Sequence, residues 1–172
     1  MKLMASIQKI ADIGKSTRDL QSEISVSEVF HIWDNLVSRY DVIETTQILY
    51  NFADDSDLKL ILSQGLKFLK DEAALTEQEM IKYGIPLPKK PPASAHSAKD
   101  VEAVTDEYIF RRVYAGIQGA LPLRMDAFAR STSAKIRDIF KMHLIKEMEL
   151  YDKFIEYGKL KGWVNLPPKY RD

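Results

Sequence analysis

The chain has 172 residues, 45% of them hydrophobic and 29% charged, with 25 basic side chains balanced by 25 acidic ones. That is about one domain's worth of chain with ordinary globular composition, which excludes a fibrous or disordered protein. Zero net charge removes the electrostatic case for nucleic acid or an anionic membrane, and zero cysteines exclude disulfides, thiolate metal ligands and a cysteine nucleophile.

Residues 1–23 are expected to form an N-terminal arm: Leu3, Ile7 and Ile10 suggest a short amphipathic stretch, whereas Gly14, Lys15, Ser16 and Thr17 look loose. Lys9, Asp12 and Lys15 interrupt the apolar run a signal peptide needs, and no segment approaches the ~18–20 apolar residues of a membrane span. Synthesis in the cytoplasm is therefore expected. The arm either docks on the rest of the chain or reaches a second subunit.

Residues 24–172 are expected to be one domain. Ser25 and Glu28 form an S-x-x-E capping box, with Ile24 and Val29 as its hydrophobic staple. Val29, Trp33, Leu36, Tyr40, Ile43 and Ile48 follow at helical spacing until the turn "DDSD". A second helix carries Leu58, Ile61, Leu62, Leu66, Leu69, Ala73, Thr76 and Met80, then stops at Gly84 with Pro86 beyond it. These two helices make a first hairpin over 25–83.

Residues 84–99 hold four prolines and form a linker that is partly extended. A third helix begins near Asp100 or Thr105 and carries Val104, Tyr108, Val113 or Tyr114, Ile117, Leu121, Met125 and Phe128. Pro122 should kink or break it. A turn at Ser131, Thr132 and Ser133 precedes a fourth helix through Ile136, Phe140, His143 or Leu144, Glu147 or Met148, Tyr151 and Phe154, ending at Gly158 and Gly162. The second hairpin spans 100–162, and 163–172 is a proline-containing tail.

Shifting the chain by 74 residues lays Met80–Gly84 on Phe154–Gly158, Tyr40 on Tyr114 and Ile43 on Ile117. A hairpin followed by a proline tail is thus written twice, and two hairpins with one apolar stripe each bury those stripes by packing together. With ~25 residues per helix the bundle is about 35–40 Å long. Both tails, "PLPKKPP" and the one with Trp163, are expected to pack across helices.

The segments "VSEVFHIWDNLVSRY", "DVEAVTDEYIF", "GALPLRMDAFARSTSAKIRDIF" and "KFIEYGKLKGWVNLPPKY", with the turn Pro122, Leu123, Arg124 and the ending Lys161, Gly162, Trp163, carry a resemblance over roughly residues 24–170. The chain resembles an uncharacterised ferritin-like family of endospore-forming bacteria that carries the label of spore coat protein, and is similar to the coat protein F family. The resemblance implies an all-α, ferritin-like antiparallel four-helix bundle built from two helical hairpins. It also implies a non-enzymatic structural role, deposition in the spore coat, and other spore coat proteins as partners. A homo-oligomer, with a dimer the simplest form, is expected from the readiness of antiparallel bundles to pair.

Ferritin-like bundles raise the question of a carboxylate-bridged metal pair, which takes Glu residues and E-x-x-H motifs facing inward from mid-helix. Glu28 and His31 spell E-x-x-H but fall in the first turn of a helix, where Glu28 already has a capping role. A better-placed set is Glu44, the shift-related Gln118, Glu72, His143 and Glu147, with His143 and Glu147 four apart on one face. Against a metal stand the single histidine and the Gln in place of a carboxylate. The alternative is a polar layer in which His143 hydrogen-bonds Glu147, so no residue is assigned to catalysis, to a cofactor or to a metal.

His96 lies in the linker, Lys89, Lys90, Arg111 and Arg112 belong to a solvated face, and Tyr108, Tyr114 and Tyr151 fit a helix seam. Gly116 and Gly119, beside Ala115 and Ala120, are expected to allow close helix packing. Phosphate loops, nucleophile elbows and H-E-x-x-H are all missing. Three readings follow: a structural or assembly protein, an iron- or manganese-handling protein with a degenerate site, and a helical adaptor with a groove for a partner helix.

Overall fold

The computed structural model describes residues 12–93 and 104–167. Those residues form five helices: α1 Thr17–Gln21, α2 Val26–Phe52, α3 Ser56–Lys82, α4 Asp106–Arg130 and α5 Ala134–Lys161. No strand occurs among them. The last four build a ferritin-like antiparallel four-helix bundle from two hairpins, α2–α3 and α4–α5, with α2 set against α4 and α3 against α5.

Local signals place the helix ends. Ser25 accepts from the Glu28 N–H while Glu28 accepts from the Ser25 N–H, closing the capping box. Asp55 caps α3 through the Leu58 N–H and Thr105 caps α4 through the Tyr108 N–H. Gly162 ends α5 in the left-handed conformation, φ 72°. Gly158 does not mark that end: it lies inside α5, where an added Cβ would sit 2.0 Å from Phe110 Cζ. The two Tyr-Gly pairs, 83–84 and 157–158, therefore serve different purposes, one a helix stop and one a close contact. Nor does Pro122 break α4, which continues to Arg130. The carbonyl it deprives of a donor belongs to Gln118, which is exposed and open to water.

The core divides into two apolar clusters. One gathers Ile32, Leu36, Tyr40, Met80, Ile136 and Phe140, and the other Leu58, Leu62, Ile109, Phe110, Ile117 and Phe154. Each such side chain, once buried, contributes roughly 1.5–3 kcal/mol. Two expected stripes hold in part. Leu36, Tyr40, Ile43 and Ile117 are buried, but on α2 Trp33 gives way to Ile32, and on α4 Tyr108 gives way to Ile109 and Phe110, and Met125 to Arg124. Tyr114 and Tyr151 stack across the α4–α5 seam, their hydroxyls 3.0 Å apart.

Carboxylates staple the hairpins together at both ends. Fully buried Glu28 accepts from Ser25 N–H at 2.8 Å and from Ser133 N–H at 2.6 Å, joining the starts of α2 and α5. Burial pushes its carboxyl up, but these backbone donors hold it below the ordinary range. At the opposite end Asp106 accepts from the Asp54 and Asp55 N–H groups.

The arm docks on the bundle. Leu20 is buried beside Tyr83 and Ile85, the Gln21 amide donates to Tyr83 O at 2.9 Å, and Asp12 lies between Lys82 and Lys135. The stretch around Ser16, expected to be loose, starts a short helix because Ser16 and Asp19 form a second capping box. Leu3, Ile7 and Ile10 lie outside the described residues. In the linker, Ile85 is buried, Lys90 pairs with Glu77 at 2.9 Å and Gln47 donates to Ala93 O. His96 also lies outside the described residues. In the tail, Trp163 packs on Phe110 and Tyr157.

Candidate functional site

The middle of the bundle is charged. Arg39 of α2, Glu72 of α3, Arg124 of α4, and His143 and Glu147 of α5 are all at most 4% exposed. On α4 and α5 they fall between the two apolar clusters, Arg124 between Ile117 and Ala127, His143 and Glu147 between Phe140 and Phe154. The helical repeat puts them there: Arg39 is three residues from Leu36 and four from Ile43, on the stripe that faces inward.

Arg39 is the hub. Its Nη2 donates to Glu147 Oε2 at 2.8 Å and its Nη1 to Glu147 Oε1 at 3.4 Å, a fork-to-fork pair. The same Nη2 lies 2.6 Å from Glu72 Oε2, yet neither Glu72 oxygen receives a well-directed hydrogen bond. That contact is one of charge alone. Arg124 Nε approaches Glu147 Oε2 at 3.4 Å, so Glu147 serves two guanidiniums.

The titrating groups respond to this crowding. Burial raises Glu72 to about 7; Arg39 opposes the rise and Glu147 adds to it. Burial also lowers His143 to about 3, helped by Arg39, Arg124 and Lys146, so the imidazole is neutral. Its Nε2 lies 3.8 Å from Glu72 Oε1, and neither ring nitrogen has a hydrogen-bond partner. The expected bond from His143 to Glu147 is not made, because both Glu147 oxygens are turned to the arginines.

Of the candidate metal set, Glu72, His143 and Glu147 converge. Glu44 joins no part of this network and Gln118 is exposed on the outside of α4. The 74-residue shift does lay buried Leu36 on Phe110 and Ile43 on Ile117, but Glu44 is only half-buried on the flank of that stripe, and Gln118 falls on the matching flank of α4. The converging residues do not fit a metal ion. The Arg39 guanidinium already stands between the two carboxylates, as the cation that their charge requires. Among the described residues no group of three or more His, Asp or Glu is arranged to hold a metal. At the E-x-x-H, Glu28 is spent on backbone donors and His31 packs edge-on to Phe140.

Arg39 and Arg124 escaped the reading of the sequence. The available signal was position: each basic residue occupies a site that helical spacing assigns to the core.

Comparison with solved structures gives the same fold. A putative spore coat protein from Bacillus halodurans is 22% identical over 91% of this chain and all of its own, with a TM-score of 0.82. A conserved hypothetical protein from Mycobacterium tuberculosis is 11% identical, covers 76% of this chain and 96% of its own, and has a TM-score of 0.64. A two-domain protein from Anabaena variabilis, with DJ-1/ThiJ/PfpI-like and ferritin-like domains, is 16% identical at a TM-score of 0.66. The match covers 87% of this chain and 42% of that one. At these identities the likeness establishes the ferritin-like fold. No curated protein matches the chain. The family model described as "Protein of unknown function (DUF3231)" matches residues 10–172, and the chain belongs to that family.

Proposed function

We propose that this protein is a non-enzymatic structural component of the spore coat type, acting by self-association and by contact with other coat proteins. The observation that carries the reading is the Arg39 guanidinium, 2.6 and 2.8 Å from Glu72 and Glu147 at the height where a ferritin-like bundle uses carboxylates for metal chemistry. A side-chain cation neutralises the carboxylates without offering an open coordination position or a change of oxidation state. The centre then holds four helices in place. Likeness of fold to the Bacillus halodurans protein supports the coat assignment.

The test has two parts. Light scattering on the purified full chain should give a defined oligomer, and a fluorescent fusion in an endospore-forming host should collect at the spore surface. Iron and manganese analysis of chelator-free protein should find no stoichiometric metal. A strict monomer at high concentration with diffuse signal in the spore, or bound metal that disappears in His143→Ala, overturns the reading.

A further inference from the structure

Midway along the α2–α4 seam the bundle opens into a cleft of about 570 Å³, within the range of small-molecule sites. Glycines keep it open. Gly65 of α3 and Gly116 and Gly119 of α4 line it, and a Cβ added at any of them would meet nothing within 4 Å. Close helix packing, the expected role of Gly116 and Gly119, is therefore not what they serve. Glycine inside a helix weakens it relative to alanine, and no neighbour here demands one. What the three absent side chains provide is space.

The inner end of the cleft is polar and buried. Arg39 and Glu147 line it, 1% and 3% exposed, beside Phe68, whose ring faces the Arg39 guanidinium at 5.8 Å. The Arg39 Nε–H has no hydrogen-bond partner. Two guanidiniums here share one fully engaged carboxylate, Glu147, while Glu72 receives no hydrogen bond. The deep end thus has an unused buried donor, behind a passage walled mainly by apolar and small side chains.

We propose that this cleft binds an aliphatic monocarboxylate of the fatty-acid class, its chain along the glycine-lined wall and its carboxylate on the Arg39 Nε–H. A carboxylate satisfies the buried donor. An alkylammonium would face two arginines. A partner helix laid over the opening would stay outside, leaving the Arg39 end unfilled.

The experiment is calorimetric titration of delipidated full-length protein with dodecanoate, dodecan-1-ol and dodecyltrimethylammonium below their micellar concentrations. Dodecanoate should bind one per chain, at least tenfold tighter than the other two. Gly116→Leu and Gly119→Leu should each weaken dodecanoate at least tenfold without lowering Tm, because leucine at an open helical position strengthens the helix while filling the cleft. No saturable binding, equal binding of the three amphiphiles, or undiminished binding in both leucine variants overturns the proposal. Oligomeric state has no part in this test, so it stands or falls apart from the coat role.

Discussion

Replacing Arg39 with methionine keeps an unbranched apolar stem in the core and deletes the cation. In the native protein that cation is 2.6 Å from Glu72 Oε2 and 2.8 Å from Glu147 Oε2. Its removal leaves two buried carboxylates on facing helices, with only Arg124, 3.4 Å from Glu147, as compensation. Breaking a buried ion pair by losing one partner costs about 3–5 kcal/mol. Against a typical domain stability of about 5–15 kcal/mol, that is a third or more of the total. Urea unfolding at pH 7, followed by circular dichroism, should show the loss as a lower midpoint at nearly unchanged slope. Two further measurements test the cause. At pH 5 the deficit should shrink, because Glu72, already raised to about 7 beside Arg39, rises further without it and is neutral there. In Arg39→Met/Glu72→Gln the second substitution removes a carboxyl that must otherwise stay ionised without its cation or take up a proton at pH 7, and at least half the lost stability should return. A loss below about 1 kcal/mol, or a double variant no better than the single one, refutes the view that Arg39 neutralises this pair.

Gly158→Ala should cost about 3 kcal/mol, at the upper end of ordinary overpacking, because the new methyl meets a fully buried Phe110 ring held by Phe154 at 4.8 Å. Denaturant unfolding checks it, and an unchanged midpoint would contradict the contact. Glu28→Ala should cost about 2–3 kcal/mol by orphaning the Ser25 and Ser133 N–H groups at two helix starts, read as a fall in Tm. For pH dependence the signs of two central groups oppose. Glu72, raised from 4.5 to about 7, contributes stability that is present below about 4.5 and lost as pH climbs to 7; His143, lowered from 6.5 to about 3, contributes stability present above 6.5 and lost as pH falls. Their effects roughly cancel between pH 4.5 and 6.5. His143→Gln removes one arm, so relative to wild type the variant should gain about 2 kcal/mol on going from pH 7 to pH 5, nearly all of it below pH 6.5 at about 1.4 kcal/mol per pH unit. A constant difference between the two profiles would remove His143 from the account.

Helix ends were legible because their causes are local. Ser25 with Glu28, Asp55 before α3 and Gly162 after α5 each act within a few residues of the backbone groups they satisfy. Core faces were legible where large aliphatic residues mark them, as on α3 and α5, and misplaced by one position where aromatic residues compete. Trp33 and Tyr108 are large enough to suggest a buried stripe while resting on its flank. The central site was half visible. Glu72, His143 and Glu147 stand at mid-helix heights that the fold makes central, but Arg39 meets Glu147 across 108 residues of chain. Such a pairing leaves no spacing to read, and an isolated arginine is ordinarily solvated. Gln118 was misplaced for a different reason: Glu44, from which it was projected, lies beside the inward stripe and not on it.

The network also explains how two hairpins find one alignment. Apolar stripes packed along their length lose little when one helix slides by a turn, about 5.4 Å, because one aliphatic side chain replaces another. Charged contacts tolerate no such slip. Moving α2 by one turn would carry Arg39 off both Glu72 and Glu147, stranding two carboxylates among apolar neighbours at a cost of several kcal/mol. Glu28 and Asp106 impose the same demand at the two ends, since each must meet backbone N–H groups of the other hairpin. Three polar constraints, one at each end and one at the centre, define the relative height of all four long helices, and the apolar residues between them provide the cohesion. An arginine does this centre's work with a cation encoded in the chain itself.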